Sequence, residues 1–512
     1  MSTSTTAGLV GLLVALFFWF HKSKVSVIPL PPGPKPLPLV GNIKDLTTKE
    51  MWLSATRWAK QYGDVVYLHV FGQGLVFLNS PEAVSELMDK RGTIYSDRLP
   101  LVMAGELCNC KHMVAFTRYG DQSKRQRRIM HKALGPQAIQ TYYPLLVTAT
   151  STFLRRLIAD PLNFQNITRR YAGGLMLLVI YGHEAVSDDD EFLKQGEETV
   201  ELLANEIASG GGVWPVDVFP FLQHLPVFLP GMGFKRKAVK WRAQIGEFVD
   251  KPYEYVKNAM KTGNYRPCFT SMMLNDQAGD VTPEFEFDLK WSGNSMYGGS
   301  MDTTITTISH FLLMMMQHPE ILEKAQRELD TVVGNDRLPS FEDRPRLPYV
   351  EAVLQETWRW SVSVPLGLPH RLMQDDVYKG MHIPKGSLIF QNLWAITRNE
   401  ELYPDPHTFK PERFLGSAEE VLQRRRNVRS NVFGFGRRQC PGMNLVDSSV
   451  WLLMTRMMAT LNIRKAVDEH GKVIEPDYTF DNSIFRTPSP FACDIRPRSE
   501  KSLLLIKQCE TT

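Results

Sequence analysis

A single cysteine framed by glycines and arginines carries the most specific chemistry in this sequence. Cys440 lies in the stretch Phe433-Gly-Phe-Gly-Arg-Arg-Gln-Cys-Pro-Gly442, with Gly434 and Gly436 before it and Pro441-Gly442 after it. Glycine lets a backbone turn tightly and come close to a ligand. A chain wrapped around the sulfur can point N–H groups at it, lowering the thiol's pKa and favouring thiolate. Arg437 and Arg438 add guanidinium forks suited to carboxylates. The combination predicts a metal-bearing cofactor with carboxylate arms, ligated from one side by one thiolate. Haem meets that description, and thiolate ligation favours O–O cleavage. A buried structural cysteine is the ordinary alternative beside a Gly-rich turn. Zinc would need further ligands nearby, yet there is no CxxC pair and the nearest other cysteine is Cys493.

A second constellation is Gly298-Gly-Ser-Met-Asp-Thr-Thr304, inside a long apolar helix predicted over about 288–317. Glycines cost helix stability relative to alanine, so a pair in mid-helix needs a reason. Small residues make room for a ligand, and a threonine can bend a helix by bonding back to a carbonyl. A third is Glu356-Thr-Trp-Arg359, whose acid and base share one helix face. Alone, that spacing is usually a surface ion pair.

The pattern F-x-x-G-x-R-x-C-x-G fixes five positions and arises by chance in roughly one chain of this length in ten thousand. It resembles the haem-binding signature of the cytochrome P-450 family. The resemblance implies haem b with Cys440 as axial ligand and metal ligand, Arg438 on a propionate, and Phe433 against the cofactor. The helical glycine stretch resembles the family's oxygen-binding motif, with Ser300 where a second glycine is usual. By that likeness Asp302 feeds a proton relay and Thr303 hydrogen-bonds the activated oxygen. The 119–131 stretch is similar to the family's Trp-x-x-x-Arg segment, with Ser123 at the Trp position and Arg127 kept for the propionate. His370, in Leu368-Pro-His-Arg371, is implied as another propionate partner. Arg413, in Pro411-Glu-Arg-Phe414, completes a buried charge triad with Glu356 and Arg359 that serves folding and haem retention.

The elements that must position these residues fill a 512-residue chain with no linker, repeat or low-complexity tract. The expected organisation is an N-terminal anchor and flank over 1–29, a Pro-rich connector over 30–38 and a catalytic domain over 39–512. Residues 7–20 are apolar, and His21, Lys22 and Lys24 follow them. Charges behind the apolar run favour an uncleaved anchor over a signal peptide and keep the domain cytosolic. Endoplasmic reticulum localisation is the resulting expectation. Prolines 31, 32, 34, 36 and 38 make a stiff extended connector. A helix is predicted over 52–62 and short strands over 64–68 and 75–79. Two apolar stretches, 99–117 and 213–234, resemble the substrate-side loop and the membrane-facing lid of the family. Lys124, Arg125 and Arg128 read either as a solvated face or as a docking surface for an acidic redox partner.

Hydrophobic content of 43% supports a large core, and a net charge of +4 without a basic patch excludes a nucleic-acid partner. Six cysteines without framework spacing fit a reduced compartment. The Asn166-Ile-Thr168 sequon is expected to stay unmodified in a cytosolic domain.

The implied fold is mainly α with a small β lobe, a triangular helical prism around a buried haem. The implied reaction is insertion of one oxygen atom from O2 into a lipophilic substrate. Electrons would come from NADPH through a separate cytochrome P-450 reductase, with cytochrome b5 as a second donor, since the chain has no Rossmann or flavin module. The sequence resembles fungal secondary-metabolism members, which implies secondary-metabolite biosynthesis or xenobiotic oxidation. A haem-thiolate isomerase or dehydratase, and a non-catalytic haem sensor, are the rival readings. The Asp302-Thr303 pair argues against the first, the substrate loops against the second.

Overall fold

A computed structural model of the protein describes residues 28–508, apart from 48, 188, 209–213, 278–279, 418 and 483. The segment expected to form a membrane anchor, 7–20, lies outside the described residues. Among the described residues no helix is long and apolar enough to cross a membrane. The expectation of a transmembrane, endoplasmic-reticulum protein with a single anchor is corrected accordingly.

The architecture is mainly helical with a small sheet region, as expected. Helix α1 (Met51–Tyr62) leads into strands β1 (Val65–Val70) and β2 (Gln73–Leu78). These pair antiparallel from Val65↔Leu78 to Val70↔Gln73, around a turn at Phe71 and Gly72 in which both residues have positive φ. That is the conformation a two-residue hairpin loop selects. Next come α2 (Asp121–Leu134), α3 (Phe164–Tyr181) and α4 (Phe234–Thr262).

Helix α5 (Pro283–Gln317) is the central element. Thr282 caps it by accepting from the Phe285 N–H at 3.2 Å, and Pro283 occupies its first turn, where a missing N–H costs nothing. Helices α2 and α3 pack along it. From Thr304 to Met316 nearly every side chain is buried, so this stretch carries no amphipathic stripe. Each fully buried Leu or Met there contributes about 1.5–3 kcal/mol relative to exposure.

Helix α6 (Pro348–Ser361) carries Glu356 and Arg359 of the predicted triad, and a 3-10 turn (Pro411–Phe414) carries Arg413. Arg359 bonds Glu356 through Nε and Nη2, both at 2.7 Å, and Arg413 Nε reaches Glu356 at 3.2 Å. Spare guanidinium protons go to the carbonyls of Thr397 and Pro406 from Arg359, and of Pro404 from Arg413. A buried charge network so fully satisfied fixes geometry more than it adds stability.

Strands β3 (His370–Arg371) and β4 (Leu388–Gln391) extend the hairpin to a 4-stranded sheet of order β1-β2-β4-β3. Helices α7 (Leu393–Thr397), α8 (Glu419–Phe433) and α9 (Met443–Thr460) follow, and β5 (Phe480–Asn482) pairs antiparallel with β6 (Arg486–Pro488). Helix α8 runs straight into the Cys440 loop.

Candidate functional site

The Cys440 loop is held by its backbone. Gly434 and Gly436 have φ of 79° and 56°, in the left-handed region that side chains disfavour. A Cβ on Gly436 would stand 2.2 Å from the Met88 carbonyl oxygen. The Gly436 N–H donates to Asp89 Oδ1 at 2.7 Å, and the Cys440 N–H donates to the Phe433 carbonyl at 2.7 Å. Phe433 is buried edge-on against Trp358, with ring centres 5.3 Å apart.

The N–H groups of Gly442 and Met443 and the Arg127 guanidinium all favour a charged Cys440 sulfur. Burial outweighs them and pushes the thiol's pKa above its ordinary value, opposite to the lowering expected from sequence. A loop this deep stabilises thiolate only with a cation at the sulfur. The Cys440 side chain is nonetheless exposed, so it faces a hollow within the fold.

Above the loop is a cluster of buried cations. Arg438 donates to the carbonyls of Ser96 (2.8 Å) and Thr117 (2.7 Å). Arg127 donates to the Gln439 carbonyl. Arg98 donates to the carbonyls of Leu368 and Pro369, both at 2.7 Å, and its Nε is buried without a hydrogen-bond partner. Burial, aided by Arg438 and Arg127, pushes the Arg98 pKa down to about 9; burial with Arg127 takes Arg438 to about 10.

His370 bonds the Tyr95 carbonyl through Nδ1 at 2.7 Å. Burial, then Arg98 and Arg438, hold its pKa well below the usual imidazole range. The nearby carboxylate, Asp97, is already taken by Arg118 at 2.7 Å and by the Tyr119 N–H at 2.9 Å. Cationic charge thus exceeds anionic charge here, and an orphaned guanidinium proton needs an acceptor. A cofactor bearing two carboxylates and a cationic metal fits both the arginines and the sulfur.

Arg98 is absent from the sequence reading. Its only signal was an Asp-Arg pair placed directly before an apolar run, and nothing local tells that such a pair is buried. Ser123, at the usual tryptophan position, is buried on α2. Arg125 is not free to dock a partner: it pairs with the buried Asp288 at 2.5 Å and with Glu284 at 3.2 Å.

On α5, Thr303 Oγ1 donates back to the Gly299 carbonyl at 3.2 Å, and Ser300 Oγ to that of Tyr297 at 2.7 Å. Ser300 therefore turns onto its own helix. No neighbouring heavy atom lies within 4 Å of where a Cβ on Gly299 would stand, although Met296, Tyr297 and Met301 around it are buried. Gly299, one turn before Thr303, borders space that no protein atom fills. Burial raises the pKa of Asp302, with Arg169 opposing and Glu201 adding to the rise. No hydrogen bond or ion pair among the described residues joins Asp302 or Thr303 to Cys440 or to the arginines.

The 99–117 stretch, expected to be irregular, contains a π-helical turn (Val102–Leu107) whose Met103 N–H is bound by Asp217 Oδ1 at 2.9 Å. It is thereby tied to the second predicted substrate-side stretch.

The family profile described as Cytochrome P450 matches residues 31–492. Among similar curated proteins, "Cytochrome P450 monooxygenase claT" of Ampulloclitocybe clavipes is 38% identical over 500 residues, spanning 98% of this chain and 97% of the relative. "Cytochrome P450 monooxygenase 136" of Postia placenta is 39% identical over 501 residues, spanning 97% and 94%.

Proposed function

The chain belongs to the cytochrome P450 family, and from that premise we propose that Cys440 is its haem ligand and Asp302 and Thr303 its proton-delivery pair. The enzyme is a monooxygenase of this class, its cofactor is haem b with a cysteine thiolate as axial ligand, and it works with a redox partner, O2 and a lipophilic substrate. The reaction we assign is R–H + O2 + NADPH + H⁺ → R–OH + H2O + NADP⁺, with a separate NADPH-dependent reductase as electron source and cytochrome b5 as a second donor. A role in fungal secondary metabolism is the favoured setting.

Haem, once bound, supplies reductive activation of O2. Arg98, Arg127 and Arg438 would hold its carboxylates, with His370 and Phe433 completing the enclosure. Phe433, through its carbonyl, fixes the Cys440 N–H and so orients the sulfur. Asp302, biased toward its protonated form, is suited to give up a proton and recover it. Thr303 Oγ1, its own proton donated to the Gly299 carbonyl, offers acceptor lone pairs beside Gly299.

The observation that carries this reading is the excess of buried guanidinium charge beside a glycine-wrapped thiol. Purified protein would be supplied with a fungal reductase, NADPH, ¹⁸O2 and a lipophilic extract of the source organism. One heavy atom in a new product is expected; a product without label would overturn the assignment. For Thr303→Ala the expectation is NADPH consumption diverted to peroxide.

A further inference from the structure

One turn beyond Thr303, α5 is tied to the C-terminal hairpin by a buried polar network that no step above uses. Arg486 Nη1 lies 2.8 Å from His310 Nε2, and His310 Nδ1 lies 2.8 Å from the Thr306 carbonyl. A guanidinium only donates, so Nε2 is the acceptor and the proton sits on Nδ1. The next residue on β6, Thr487, shares a 2.6 Å hydroxyl–hydroxyl bond with Thr306. Two successive residues of one strand therefore grip α5 at positions i and i+4.

The network also returns to Thr303. The Arg486 N–H donates to the Ser363 carbonyl at 3.0 Å, and Ser363 Oγ donates to the Thr303 carbonyl at 3.4 Å. Thr307 Oγ1 donates to the same carbonyl at 2.9 Å.

The Arg486 side chain is confined on both faces. Its guanidinium carbon sits 3.6 Å from the centre of the Phe480 ring and 4.7 Å from that of Trp394. Phe480 stacks parallel on His310, and Arg398 covers Trp394 at 3.5 Å. Among the described residues neither Arg486 nor Arg398 forms an ion pair. Glu50 acts on Arg486 from beyond ion-pair distance, and a buried arginine so weakly countered is costly unless its donors and faces are satisfied. His310 on α5 takes one guanidinium proton, and the rings against the guanidinium are Phe480 on β5 and Trp394 on α7.

We propose that Arg486 is a positioning residue, which through its side chain on His310 and its backbone N–H on Ser363, beside Thr487 on the same strand, sets where the Thr303 turn of α5 stands. The proposal rests on the role given to Thr303 above. Burial, then Arg486 and Arg398, hold His310 neutral, the state that the acceptor role requires.

The test compares haem-loaded parent, Arg486→Met, Arg486→Lys and Arg486→Met/His310→Gln. In Arg486→Met, amide hydrogen exchange over 303–310 is expected to speed up about tenfold, with the Cys440 loop unchanged. Carbon monoxide, which does not titrate, serves as the distal probe through its infrared stretch on reduced haem. In Arg486→Met that stretch should shift from its parental frequency, because the Thr303 turn moves once His310 loses its donor; Arg486→Met/His310→Gln should shift it no further.

Arg486→Lys, still able to donate to Nε2, should restore most of the slow exchange. Parental exchange and a parental stretch frequency in Arg486→Met would overturn the proposal, as would uniform acceleration across the whole protein. If Arg486→Met fails to retain haem, Thr487→Val must still accelerate 303–310 several-fold, and parental exchange there would overturn it. If Thr303→Ala released no extra peroxide, the role of Thr303 would fall while the exchange result on Arg486 stood.

Discussion

Gly436, in the Cys440 loop, and Gly299, on α5, are glycines for opposite reasons. Gly436 has a positive φ and a neighbouring carbonyl oxygen 2.2 Å from where a Cβ would be. Gly299 has helical geometry and nothing within 4 Å of its absent Cβ. One is forbidden a side chain by the protein itself; the other leaves space that the protein does not fill. The Cys440 loop is thus held by its backbone, while the Thr303 turn is held by hydroxyl bonds. Changes on the first side should strike folding and cofactor retention, and changes on the second should strike the use made of electrons.

The largest effect expected is from Gly436→Ala, which combines backbone strain with an unavoidable clash. A loss of about 5 kcal/mol in stability is expected, with no haem retained on purification. Normal haem content would show that the loop is more pliable than its geometry implies. Glu356→Gln comes next: it leaves Arg359 and Arg413 buried without their counter-charge, at a cost of about 3–4 kcal/mol, read by thermal or denaturant unfolding.

Arg98→Met sharpens the contrast from within the same side. It removes a guanidinium whose Nε has no partner and whose charge is opposed by Arg438 and Arg127. Stability of the haem-free protein should hold or rise, while haem is lost faster to an acceptor such as apomyoglobin, by about tenfold or more. Equal haem-loss rates would remove Arg98 from the cofactor site.

On the α5 side, Asp302 gives a pH signature. Its pKa is raised in the fold from an ordinary value of 3.8, chiefly by burial. The folded protein therefore binds this proton more tightly than the unfolded chain does. The stabilisation is fully present below the unfolded value and is lost as pH rises through the folded one. Asp302→Asn should consequently gain in melting temperature relative to the parent as pH rises above about 4, while activity falls. A difference that does not vary with pH would mean that Asp302 is not the buried acid described.

The two sides also differed in how far sequence revealed them. Cys440, Arg438 and the Glu356–Arg359 spacing were legible because their chemistry needs fixed residue types at fixed separations. Arg127 and His370 were found only by likeness to a family. Arg98 and Arg486 were missed because burial of an arginine depends on groups far along the chain, such as the Leu368 carbonyl for Arg98 and His310 for Arg486. Helix α8 was missed for a related reason. Its run Arg424-Arg-Arg-Asn-Val-Arg429 has no apolar period, and its hold on the fold comes partly from Arg425 bonding the Phe414 carbonyl and from the buried Val421 and Val428. The π-helical turn after Leu101 depends on Asp217, which local pattern cannot supply.

The smallest effect on stability, and the sharpest test of the comparison, is Gly299→Ala. Alanine is a better helix former than glycine by about 0.8–1 kcal/mol in a helix interior, and a Cβ here meets no atom of the protein. Unfolding measurements on the haem-free chain should therefore show a gain of up to about 1 kcal/mol. The added methyl projects into the open side of α5, one turn from Thr303, where the bound cofactor and oxygen would need room. The haem-loaded variant should keep its thiolate spectrum yet release more peroxide per NADPH consumed. A stability gain with unchanged coupling would mean that the space beside Gly299 is not the oxygen side of the site. A stability loss would mean that the space is already filled, and the contrast with Gly436 would disappear.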